Sequence, residues 1–81
     1  MNSETFEQLQ NRLAKDIKAA RRAVGLSQEA LALQAEVDRT YVSQLERGIA
    51  NPSIFVLYRL TNVLGGSLRI SLEKPETKDA Q

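Results

Sequence analysis

The chain has 81 residues, 42% of them hydrophobic and 26% charged, which gives room for one domain with a modest core and argues against wholesale disorder. It holds no cysteine and no histidine, excluding a disulfide framework, thiolate or imidazole metal sites, a cysteine nucleophile and a Ser-His-Asp triad. The net charge of +1 is uneven: residues 8–72 carry nine Lys/Arg against five Asp/Glu, whereas the two ends carry Lys74 and Lys78 against Glu4, Glu7, Glu73, Glu76 and Asp79. A mildly basic body with acidic ends permits a phosphate-bearing partner without requiring one.

Thr5 followed three residues later by Gln8 matches a capping box, and the helix it opens is predicted to run to about Val24. Leu9, Leu13, Ile17, Ala20 and Val24 recur at three- and four-residue spacing and are expected to form its buried stripe. Arg12, Lys15, Lys18 and Arg22 lie largely off that stripe, either as a solvated face or as phosphate contacts. Gly25 ends the helix. Ser27 is the expected cap of a second helix, with Glu29 in its first turn and Ala30, Leu31 and Ala35 facing inward. Glu36, Val37 and Asp38 make a turn, and Asp38 caps a third helix from Arg39 to about Arg47. Val42 and Leu45 are its core contacts, Val37 plugs the turn and Gly48 terminates it. A fourth helix follows, capped by Asn51 with Pro52 at its first position or by Ser53. Ile54, Leu57, Leu60, Val63 and Leu64 are assigned to its apolar face, and Gly65-Gly66 stops it. Beyond that the period changes to two. Leu68, Ile70 and Leu72 alternate with Arg69, Ser71 and Glu73, as in a half-buried strand, and residues 74–81 read as a frayed tail. There is no repeat and no low-complexity segment.

Two short amphipathic helices joined by a tight turn over residues 27–48 read as a helix-turn-helix, a motif whose usual target is the major groove of DNA. Three fragments carry a resemblance: Gly25-Leu26-Ser27-Gln28-Glu29, then Tyr41-Val42-Ser43-Gln44-Leu45-Glu46-Arg47-Gly48, then Asn51-Pro52-Ser53. In order and spacing, the run from Arg21 to Leu64 resembles the phage-repressor-like family of bacterial regulators, the Cro/C1 or XRE type. The fold this implies is all-α: a lambda-repressor-like domain of four to five helices, here with a short C-terminal β-strand. The chain divides accordingly into a helical core at 5–66, a strand-like dimerisation segment at 67–73 and the tail.

The resemblance implies that Arg39, Thr40, Ser43 and Gln44 face the groove. Their i, i+1, i+4, i+5 spacing makes one helical face opposite Val42 and Leu45, and Arg and Gln are the side chains that pair bidentately with guanine and adenine. Tyr41 and Arg47 sit at the edges of that face and suit the phosphate backbone. Gln28 is placed to meet a phosphate or to brace a side chain of the third helix. Glu46 would repel phosphate unless neutralised; in this family the matching acid pairs with an arginine of helix one, a place Arg21 occupies. Arg21 and Glu46 are therefore expected to form a structural ion pair.

A strand over Leu68, Ile70 and Leu72 needs a hydrogen-bonding partner, and the simplest one is the same segment of a second subunit. Such an ending resembles the small antitoxins of the HipB type. The expected function is a sequence-specific DNA-binding transcriptional regulator, an autorepressor acting as a homodimer on an inverted-repeat operator. The alternatives are an antitoxin that neutralises a toxin protein while repressing its own operon, and a restriction–modification controller protein. No enzymatic activity, cofactor, metal or small-molecule ligand is expected. No apolar run approaches the roughly 20 residues that span a bilayer, and the polar, acidic start is unlike a signal or transit peptide, so the expected compartment is the cytoplasm.

Overall fold

The computed structural model describes residues 4–74. It contains four helices: α1 (Phe6–Ala23), α2 (Gln28–Ala35), α3 (Arg39–Glu46) and α4 (Ile54–Leu64). Each begins at a side-chain cap. Thr5 Oγ1 accepts from the Gln8 N–H at 3.0 Å while Gln8 Oε1 accepts from the Thr5 N–H at 2.9 Å, completing the capping box. Ser27, Asp38 and Ser53 accept from the backbone N–H groups of Ala30, Thr40 and Val56, which decides between the two possible caps of α4 in favour of Ser53. A cap of this kind contributes about 1 kcal/mol by satisfying an N–H that has no partner inside the helix.

The four helices also end alike. A left-handed residue follows each, bracketed by two reversed backbone hydrogen bonds such as Ile49 N–H to Gln44 O and Gly48 N–H to Leu45 O, both 3.1 Å. Glycine fills that position after α1, α3 and α4, but Glu36 fills it after α2, with φ of +61°. Glu36 is the only non-glycine residue with positive φ among the described residues. Arg59 of α4 reaches back to its carboxylate, with Nη2 donating to Oε1 at 2.6 Å. The exposed pair contributes at most about 1 kcal/mol, whereas a side chain in the left-handed region costs roughly 1–2 kcal/mol. Glu36→Gly should therefore leave stability unchanged or raise it by up to about 1 kcal/mol in urea denaturation; a clear loss would show that the Arg59 pair holds the turn.

α2 lies at the centre, packed on both α3 and α4, while α1 packs on α3. Leu31, Val42, Leu45 and Leu60 are the largest side chains closed to solvent, and Ile17, Ala32, Ala35, Ala50 and Leu64 complete the cluster around them. Small residues matter here because the buried face of α2 includes two alanines, Ala32 and Ala35, which take up little room between its neighbours. Gln10 Nε2 donates to Ala50 O at 2.8 Å, tying α1 to the loop between α3 and α4.

Four sequence expectations are corrected. Leu9 is 42% exposed because the buried face of α1 is centred on Ala14, Ile17 and Arg21, well around the helix from it. Val24 is exposed because it lies past the last turn of α1, as its C-cap just before the left-handed Gly25. Ile54 is 65% exposed: with Leu57, Leu60 and Leu64 setting the buried face, it lies about 90° around α4 at 100° per residue. Finally, residues 66–74 form no strand among the described residues. Leu68 is half-buried, but Ile70 and Leu72 are exposed, so their alternation makes no buried face within one chain, and a ladder needs a paired neighbour. No fifth helix occurs there either. The tail residues 75–81 lie outside the described residues.

Candidate nucleic-acid interface

α3 is a two-turn helix with one side in the core and one in solvent. Val42 and Leu45 are closed, at 0% and 1% exposure. On the other side Arg39, Thr40, Gln44 and Arg47 are exposed and Ser43 is half-buried, so the structure brings the expected groove-facing residues onto one surface. Arg39 and Arg47 make no salt bridge among the described residues. Their guanidinium groups, five N–H donors each in a rigid fork, stay available for phosphate or a base edge. A cation at a helix start opposes the helix dipole, and the Asp38 cap one residue before it supplies a compensating charge.

The acid at the end of α3 is neutralised as expected. Arg21 grips Glu46 with two parallel hydrogen bonds, Nε to Oε2 at 2.6 Å and Nη2 to Oε1 at 2.9 Å. The remaining terminal nitrogen, Nη1, donates to Leu26 O at 2.8 Å in the loop before α2. Although Glu46 as a residue is half-buried, its side chain is only 2% exposed and that of Arg21 only 11%. Burial alone would push the Glu46 carboxyl up; the hydrogen bonds from Arg21 and Gln28, with the attraction of Arg21 and Lys18, outweigh it and hold the carboxyl below its ordinary value. The same bonds raise Arg21 further above its already high value. One guanidinium thus joins α1, the α1–α2 loop and the end of α3.

Two residues have roles that the sequence left open. Gln28 donates through Nε2 to Glu46 Oε1 at 3.1 Å, so of its two possible tasks the structure shows the brace within the motif. Tyr41 packs against the core cluster and is half-buried; burial pushes its phenol up, partly offset by a hydrogen bond from the Ser53 backbone. Of the cations on α1, Arg12 is occupied by Glu4, with Nε–Oε2 at 2.8 Å, while Lys15, Lys18 and Arg22 are exposed.

A short helix capped by Asp38, braced from behind and presenting cations, hydroxyls and an amide to solvent defines a helix-turn-helix domain. The chain belongs to the HTH_3 helix-turn-helix family, whose model matches residues 17–70. It is 43% identical over 47 residues to an uncharacterised HTH-type transcriptional regulator, y4dJ, from Sinorhizobium fredii, covering 58% of this chain and 61% of the relative. The chain thus matches about three fifths of that relative's length. Among solved structures, the restriction–modification controller protein C.AhdI from Aeromonas hydrophila superposes with a TM-score of 0.70 at 34% identity, covering 72% of this chain and 88% of the controller. SinR, a master regulator for biofilm formation solved in complex with DNA, gives 0.66 at 38% identity over 68% and 89% of the two chains. No helix among the described residues is long and apolar enough to cross a membrane.

Proposed function

We propose that the chain is a sequence-specific DNA-binding transcriptional regulator that represses by occupying a promoter as a homodimer. The observation that carries this reading is the solvent face of α3: Arg39, Thr40, Gln44 and Arg47 stand open, while Glu46, the acid at the end of the helix, is locked away by Arg21. α3 would lie in the major groove, with Arg39, Thr40, Ser43 and Gln44 at base edges and Arg47 at the backbone. Tyr41, with its ring against the core, would offer only its edge to a phosphate. Gln28 acts through Glu46 in holding the motif, and its exposed edge would lie near the backbone. The likeness to a regulator solved on DNA supports the reading.

One eight-residue helix reads too few base pairs for useful selectivity, so two copies would read half-sites about 34 Å apart in an inverted repeat. Leu68, Ile70 and Leu72 belong to the segment proposed to contribute to that pairing; the exposure of Ile70 and Leu72 leaves them free to do so. Selection from a random-sequence duplex pool should enrich an inverted repeat, and affinity for it should fall steeply with salt as phosphates release counterions. Failure to enrich any motif, with binding equal on all duplexes, would sink the proposal.

A restriction–modification controller is the second reading, favoured by the structural match that spans 88% of C.AhdI. It involves the same interface and differs only in which genes the operator governs.

A further inference from the structure

Lys15, Lys18 and Arg22 stand exposed on α1 and make no salt bridge among the described residues. At 100° per residue they share an arc of about 60°, in a row about 10 Å long. Lys15 and Lys18 are three residues apart and Lys18 and Arg22 four apart, spacings at which like charges repel. No acid stands three or four residues from any of them to offset this. Arg22 suits the last turn of α1, where a cation complements the helix dipole, but Lys15 and Lys18 lie mid-helix, where the dipole gives them no support. We propose that this row is a second DNA contact, gripping the sugar–phosphate backbone beside the groove that α3 enters. The proposal rests on the DNA-binding reading above and adds α1 to it.

Two contacts set the row beside the end of α3. Asn11, the only other residue of the arc, lies against Gly48, so closely that a Cβ there would come within 2.5 Å of its Oδ1. Lys18 attracts the Glu46 carboxylate, whose charge the Arg21 fork already balances. The row therefore borders the exposed Arg47, and the positive face of α3, from Arg39 to Arg47, continues onto α1. Charge also selects the occupant. The arc holds three cations and one amide and no apolar side chain, which fits a hydrated polyanion and not a protein surface, whose core contacts are apolar. Further round α1 the pattern ends: Arg12 is taken up by Glu4.

Affinity for the inverted repeat selected by the wild type, measured against salt, tests this. Lys15→Gln/Lys18→Gln/Arg22→Gln should weaken binding at least tenfold at low salt and lower the slope of log affinity against log salt by about two. The base preference should stay as it is, because phosphate contacts carry no sequence information. The urea midpoint should not fall, since the row's charges repel one another. Lys15→Gln/Arg22→Gln, which leaves Lys18 beside Glu46, should lower the slope by at least about one. Arg12→Gln removes a charge from the same helix, but about 60° beyond Lys15, and should leave the slope unchanged. Equal slopes for the wild type and the triple variant overturn the proposal. So does an Arg12→Gln slope reduced as much per charge as the row's, which would make the effect one of net charge, or an affinity loss that tracks a lower urea midpoint. A chain that enriches an inverted repeat but keeps its slope without the row loses this contact alone and keeps the α3 reading.

Discussion

Glu46→Ala should cost about 3–5 kcal/mol of folding stability, the penalty for leaving one member of a buried ion pair without its partner. The mechanism is desolvation. Arg21, with a side chain only 11% exposed, would keep one hydrogen bond to Leu26 O and lose two charge-assisted bonds to the carboxylate, and Gln28 would lose its acceptor as well. For a chain this short such a loss is a large fraction of total stability. Replacing both ends, as in Arg21→Met/Glu46→Leu, should recover much of it, because a buried pair and a well-packed apolar pair are often close in energy. A double substitution no more stable than Glu46→Ala alone would show that the pair fixes the geometry of the loop as well as balancing charge. The depressed carboxyl also sets a sign for pH. A group whose folded value lies below its unfolded one stabilises fully above the ordinary carboxylate value and loses that contribution as pH falls through the folded value. The gap in urea midpoint between wild type and Glu46→Gln should therefore be greatest near neutrality and shrink in acid, below about pH 4.

Arg39→Ala should weaken binding to the selected operator by about 1–3 kcal/mol and relax the base preference at one position of each half-site. Folding should be unaffected or improve by a few tenths, since Arg39 is exposed and a cation at a helix start opposes the dipole. Arg39→Lys separates the two ways in which the residue could act. If Arg39 forks onto a guanine, lysine will not restore the preference, because its ammonium is a point charge without the planar pair of donors. If it only meets phosphate, lysine will restore affinity, and Arg39→Ala will lower the salt slope by about one. Unchanged operator affinity in Arg39→Ala would remove Arg39 from the interface and with it the assignment of this face.

Much of the fold was legible because caps and periodicity are local. Thr5, Ser27 and Asp38 announce their helices through a short polar side chain that reaches an N–H two or three residues on, a geometry that needs no tertiary partner. The turn was legible from Glu36-Val37-Asp38, but its backbone was not: a left-handed residue there is ordinarily glycine, and nothing near Glu36 in sequence points to Arg59, 23 residues away. The Arg21–Glu46 pair was reached through a family resemblance; composition alone gives no reason to match one of nine cations to one of five acids in the body of the chain.

Four helices, their ends, the short turn, and a third helix with cations and an amide opposite Val42 and Leu45 are all readable along the chain. Each follows from contacts within about one helical turn, where side-chain identity and spacing act directly on the backbone. Which arcs of those helices are covered is set by the packing of one helix on another. Packing turned Gln28 toward Glu46, drew Tyr41 against the core, left Leu9 and Ile54 in solvent, and set no strand beside residues 66–74 among the described residues of the one chain. Hydropathy marks a side chain as able to be buried; whether it is depends on another element arriving over it, and on α4 the arc of Ile54, Phe55 and Tyr58 remains open within one chain.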